Sequence, residues 1–216
     1  MNLPTKITFS RIIATVALIV TLFVLSLIDF IAPDFGNTGI NLVFFIIFVF
    51  FVIASYTDHL DGHLARKNNQ ITDLGKFLDP VADKLLINSM VIFLIAPSIF
   101  AKYAPNQIIT FNMWCAILLV VRDIVVDALR FIAAQKKIVI AANIFGKLKT
   151  VFEMVAIGVV LLNGFPFNYF DANWPAGLHI ADFLVYITTA MSLVSGVIYV
   201  WQNRQVFLSD KAEEKK

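Results

Sequence analysis

Charged residues divide the chain into long apolar runs. Ile12–Ile28 lies between Arg11 and Asp29, and Phe35–Thr57, entered through a turn region at Pro33, Gly36 and Gly39, stops just before Asp58. Leu85–Ala101 follows Lys84, while Tyr103–Val121 opens a span that continues through a charged stretch to about Ala134. Met154–Phe170 lies beyond Lys147, Lys149 and Glu153, and Phe183–Asn203 is the last run. A helix crosses the hydrocarbon core with about 20 mostly apolar residues at ~1.5 Å each. The pattern therefore predicts an all-α integral membrane protein of six transmembrane helices. Ahead of them, residues 1–10 set Leu3, Ile7 and Phe9 beside Lys6 and two threonines, which predicts a short amphipathic helix on the membrane interface. The expected organisation is this segment, a six-helix membrane domain over 11–207 and a polar tail over 208–216. No internal repeat and no cleavable signal peptide are evident.

Composition supports this reading. Hydrophobic residues make up 59% of the 216 positions, charged residues 15%, and the mean hydropathy is +0.82. A soluble domain carries roughly 25% charged residues, so a single soluble globular domain is excluded. Cys115 is the only cysteine, which excludes a disulfide framework and a cysteine metal site. The basic residues then set orientation. Lys6 and Arg11, then Arg66, Lys67, Lys76 and Lys84, then Lys136, Lys137, Lys147 and Lys149, and finally the tail all fall on one side; the other side holds Asp29, Asp34, Asp171, Asp182 and one basic residue, Lys102. Both termini are expected in the cytoplasm.

The stretch 58–84 concentrates charge: Asp58, Asp61, Arg66, Lys67, Asp73, Lys76, Asp79, Asp83 and Lys84. Asp58 and Asp61 stand i, i+3 at the end of the second span, and Asp79 and Asp83 stand i, i+4 at the start of the third. Two antiparallel helix ends can bring these four carboxylates together. Their mutual repulsion and desolvation would be relieved by a divalent cation, and oxygen donors without thiols suit Mg²⁺ or Mn²⁺. Gly62 and Gly75 leave room for a ligand to approach the backbone. Pro80 suits the first turn of a helix. His59 and His63 turn to another face of the helix and are not expected to ligate.

The string Asp58-His-Leu-Asp61-Gly62-His-Leu-Ala65-Arg66, eight residues, Gly75, three residues, Asp79, three residues and Asp83 resembles the signature of the CDP-alcohol phosphotransferase family at every fixed position. The resemblance implies six spans, cytoplasmic termini and a homodimer. It also implies that Asp58, Asp61, Asp79 and Asp83 hold two divalent metals against the pyrophosphate of a CDP-linked lipid, with Asp83 also the general base. By the same resemblance Gly62, Ala65, Arg66 and Gly75, with Asp58 and Asp61, line the CDP pocket.

The fourth span carries Arg122, Asp123, Asp127 and Arg130, and intramembrane charges of this kind face a bundle interior or a watery cavity. A cationic pocket beside a metal site suits an acceptor that bears a phosphate; mutual pairing of these four charges is the alternative. The strings over 5–11, 122–130 and 146–150 are similar to the bacterial phosphatidylglycerophosphate synthase branch of the family, with Thr5 as a departure. That similarity implies CDP-diacylglycerol as donor and sn-glycerol 3-phosphate as acceptor, its phosphate held by Arg122, Arg130 and Lys147, with Thr8 and Arg11 nearby. Rival expectations are the same chemistry on inositol phosphate, phosphatidylglycerol or serine, and a cation transporter with the aspartates as its ion site. Glu153 is expected to be a hydrogen-bonded structural acid, and His179 incidental.

Overall fold

The computed structural model describes residues 3–28, 31–36, 38–67, 73–95, 109–136, 144–171 and 173–204; for 3–4, 59–67, 73–77, 144–145 and 147 it describes the backbone alone. Among the described residues there are seven helices and no strand: α1 (Leu3–Leu27), α2 (Leu42–Lys67), α3 (Asp73–Phe93), α4 (Met113–Gln135), α5 (Ile144–Leu161), the single turn α6 (Asn168–Asp171) and α7 (Ile180–Gln202). The fold is all-α. Helix α1 packs on α3 and α2, α2 also packs on α5, and α7 lies against α5 and α4.

Each long helix carries two apolar faces. On α2 the inward face is Phe44, Ile47, Phe51 and Ala54, which meets Met90 of α3, Leu94 just beyond its end, Leu119 of α4 and Ile157 and Leu161 of α5 in one core. The outward face is also apolar. On α1, Ile13, Val16, Val20, Phe23 and Leu27 recur at helical spacing and are all exposed, Leu27 at 71%. In water such a stripe would leave a large apolar patch unburied; in a bilayer it is the surface that lipid covers. Two described helical stretches, Thr5–Leu27 and Ile180–Gln202, are long and apolar enough to cross a membrane, and Leu42–Asp58 is a shorter apolar one.

Several helix bounds differ from those of the charge-free runs. Helix α4 starts at Met113, not at Tyr103, because Asn112 caps it: its Oδ1 accepts from the amides of Trp114 and Cys115 at 3.0 and 3.3 Å. Helix α5 begins at Ile144, ten residues before the apolar run, and ends at Leu161, before Asn163 and Gly164 enter positive φ. The run missed this start because Lys149 and Glu153 are helical charges buried by pairing with each other. Helix α3 starts at Asp73, so Pro80 lies two turns inside it, where it leaves one carbonyl without its helical donor. Helix α1 runs unbroken from Leu3 to Leu27, so the first ten residues lead directly into the apolar stretch.

Polar side chains join the helix ends remote from the acidic stretch. Asn163 accepts from the Ile109 amide at 3.1 Å and donates to the Gly39 carbonyl at 3.0 Å. His179 is the N-cap of α7, where its amide donates to Asp182 at 2.9 Å, and Asp171 accepts from the next amide, Ile180, at 2.7 Å.

Candidate active site

Helix α1 turns Thr5, Thr8, Arg11 and Thr15 inward along one face, all of them buried. This face meets the aspartates. Thr8 Oγ1 donates to Asp79 Oδ1 of α3 at 2.8 Å, and the Arg11 guanidinium pairs with Asp58 of α2. One turn of α1 therefore holds a carboxylate from each of the two neighbouring helices. Asp83, one turn beyond Asp79, lies ahead of the apolar run that begins at Leu85. Burial and the nearby Asp58 charge push its carboxyl from the ordinary range up to about 6, against the pull of Lys84.

Asp61, Gly62, Ala65 and Arg66 lie on the last turns of α2 and Gly75 on the first turn of α3, but their side-chain positions lie outside the described residues, as does that of Lys147 on α5. Among the described residues no three carboxylate, imidazole or thiol side chains gather into a metal-binding group. The donor chemistry nonetheless fits a hard divalent cation: Asp58, Asp79 and Asp83 offer only carboxylate oxygens, with Asp61 one turn from Asp58.

Beside Asp83 lies a second charged cluster. Asp123 of α4 is 2% exposed, and three cations converge on it. Lys149 of α5 reaches its two oxygens at 2.8 and 2.9 Å, Lys84 of α3 reaches Oδ2 at 2.5 Å, and Arg122 reaches Oδ1 at 3.0 Å. Lys149 also lies 2.6 Å from Glu153 Oε2, an ion pair without hydrogen-bond alignment. The cluster ties α3, α4 and α5 together at one depth, next to the aspartates.

A family model described as CDP-alcohol phosphatidyltransferase matches residues 1–201. The chain belongs to the CDP-alcohol phosphatidyltransferase family. It is 34% identical to a CDP-diacylglycerol–glycerol-3-phosphate 3-phosphatidyltransferase of Bacillus subtilis over 94% of this chain and 95% of the relative. It is 36% identical to the Mycoplasma pneumoniae protein of the same name, over 93% of this chain and 87% of the relative. An Arabidopsis thaliana protein of that name, numbered 2, is 29% identical over 96% of this chain.

In this CDP-alcohol phosphatidyltransferase the residues expected to hold an acceptor phosphate fall into two sets of contacts. Thr8 and Arg11 are engaged with Asp79 and Asp58, as above. Arg122 and Arg130 both face α7. Arg122 spends its donors on the Ser192 carbonyl at 3.2 Å, Ser195 Oγ at 2.9 Å and Asp123. Arg130 donates to the Tyr199 hydroxyl at 3.2 Å, lies over that ring and stands 3.8 Å from Asp127. Lys84, Lys149 and Glu153 were not among the expected site residues. The i, i+4 placement of Lys149 and Glu153 inside an otherwise apolar helix was the available sign of a buried pair.

Proposed function

We infer that this protein transfers the phosphatidyl group of CDP-diacylglycerol to sn-glycerol 3-phosphate, giving phosphatidylglycerophosphate and CMP. The observation that carries this reading is the near full-length similarity to relatives with that activity in their name, on a chain that keeps the eight-residue signature between Asp58 and Asp83.

Asp58, Asp61, Asp79 and Asp83 would hold divalent cations, two Mg²⁺ or Mn²⁺, and Gly62, Ala65, Arg66 and Gly75 would line the cytidine and pyrophosphate pocket. When bound, the cations supply charge neutralisation for the pyrophosphate and the leaving CMP. The chain's own residues perform the rest. Thr8 and Arg11 hold Asp79 and Asp58 in place from α1. Asp83 takes the proton from the acceptor hydroxyl, whose oxygen attacks the phosphorus bearing diacylglycerol while CMP departs.

The arrangement in the membrane is part of the same proposal. Six spans with both termini and the aspartates at the cytoplasmic face of the inner membrane follow from the distribution of lysine and arginine between the loops, and the family resemblance implies a homodimer. The donor then enters laterally, its acyl chains in lipid and its nucleotide at the helix ends.

Purified protein supplied with labelled CDP-diacylglycerol and one acceptor at a time tests the reaction. Release of CMP with glycerol 3-phosphate, and not with inositol phosphate, phosphatidylglycerol or serine, is the expected result. CMP release with another acceptor alone would reassign the substrate, and metal flux without CMP release would point to a transporter. Cysteine labelling at either terminus in intact and opened cells tests orientation.

A further inference from the structure

Lys84, Lys149 and Arg122 converge on Asp123 and Glu153, and the Asp83 carboxyl lies close enough to interact with Lys84, Lys149 and Glu153. The two inner cations are spent: Lys149 is 2% exposed and bound on both sides, and Arg122 is bound to α7 and Asp123. Lys84 is the open member. Its side chain is 27% exposed, and its one described hydrogen bond uses a single N–H of its ammonium group. The same side chain lines a cavity of about 550 Å³ between α3 and α4, whose other polar lining is Asn88, Ser89, Asp127 and Arg130. One turn from Lys84 on the same helix, the side-chain oxygen of Asn88 is buried with no hydrogen-bond partner. A buried acceptor left unsatisfied costs about 1–3 kcal/mol, and a ligand donor at this point would remove that cost.

A cation and a vacant acceptor one helical turn apart, directly after Asp83, match a phosphorylated polyol: phosphate on Lys84, hydroxyl on Asn88. We propose that Lys84 and Asn88 bind the phosphate and a hydroxyl of the acceptor, and that Asp123 is the positioning residue that holds the Lys84 ammonium for this contact. Arg130, across the cavity, adds a second cation, partly offset by Asp127. The inference rests on the acceptor reading given above. The same polyol-phosphate chemistry occurs in a lipid headgroup, so the test varies the two sources separately.

The experiment measures CMP release by Lys84→Met, Lys84→Arg and Asn88→Leu proteins in nanodiscs, varying glycerol 3-phosphate and the mole fraction of CDP-diacylglycerol independently. Lys84→Met should raise KM for glycerol 3-phosphate roughly 10- to 100-fold with KM for CDP-diacylglycerol unchanged, and Lys84→Arg should recover most of the loss. Asn88→Leu should raise the same KM about tenfold while leaving the melting temperature equal or higher, because it removes an unsatisfied buried oxygen. A purely structural asparagine would instead lose stability without a selective change in KM. Lys84→Met leaves Asp123 with two cations; if that protein does not fold, Asn88→Leu decides alone. Unchanged KM for glycerol 3-phosphate, or a change confined to CDP-diacylglycerol, overturns the inference. Wild-type protein that releases no CMP with glycerol 3-phosphate would instead overturn the functional reading on which it rests.

Discussion

Lys149 Nζ stands 2.8 and 2.9 Å from the two carboxylate oxygens of Asp123, and both side chains are about 2% exposed. The contact joins residues 26 positions apart and is the buried centre of the charged cluster on α3, α4 and α5. Breaking one partner of such a pair leaves the other charge in a medium that solvates it poorly, at a cost of about 3–5 kcal/mol. Lys149→Met should therefore lower the melting temperature in detergent strongly. Glu153 loses its ion partner at the same time, so Lys149→Met combined with Glu153→Gln should be more stable than Lys149→Met alone.

Thr8→Val keeps the shape of the side chain and removes the donor to Asp79. A hydrogen bond to a charged group contributes about 1.5–3 kcal/mol. If that energy is used to orient Asp79, turnover should fall about tenfold or more while the melting temperature changes little. Thr8→Ser, which retains the hydroxyl, should retain most of the activity.

Asp83→Asn removes the proposed base without altering size. The rate of CMP release should fall on the order of 10²–10⁴-fold, with folding intact by size-exclusion profile and thermal melt. An Asp83→Asn protein with wild-type turnover would falsify the assignment.

Chelation offers an independent check. EDTA should reduce CMP release to background, and Mg²⁺ or Mn²⁺ should restore it, whereas Ca²⁺, with its looser and larger coordination shell, should restore it poorly. Activity that survives EDTA would separate this protein from the metal dependence of its family.

Gly196 of α7 faces Arg122 so closely that an added Cβ would stand 2.9 Å from Arg122 Cγ and 3.2 Å from its Nε. Arg122 cannot yield freely, since it is held by Ser192, Ser195 and Asp123. Gly196→Ala should therefore destabilise the α4–α7 contact by about 1–3 kcal/mol, measured as a lower melting temperature. Gly36, with no atom within 4 Å of a built Cβ but a φ of +51°, should respond to alanine through backbone strain alone.

Much of this architecture is legible in the order of residues. Apolar runs of bilayer length, cut by charges, announce the helices, because a side chain's preference for lipid needs no knowledge of its neighbours. The carboxylate spacing at Asp58, Asp61, Asp79 and Asp83 points to the candidate site for a similar reason: residues three or four apart on a helix share a face wherever that helix goes. Helix limits were less legible. A run that counts charges as boundaries must stop at Glu153, although Glu153 is helical and buried. The start of α4 depended on one capping asparagine, Asn112.

The sequence by itself determined that the chain is helical and rich in apolar runs of bilayer length, that one stretch carries the acids, and that four charges in an apolar stretch required partners. Only the tertiary structure decided which partners they found. Arg122 and Arg130, equally good phosphate ligands on paper, turn to α7 and its serines and tyrosine, Arg130 with half its side chain exposed; Lys149 is enclosed by Asp123 and Glu153; Lys84, next to Asp83 in the chain, keeps a partly exposed edge. The physical reason is that pairing between charges on different helices depends on helix rotation and depth, which are set by packing of the Phe44, Met90, Leu119 and Ile157 core. No periodicity within one helix carries that information.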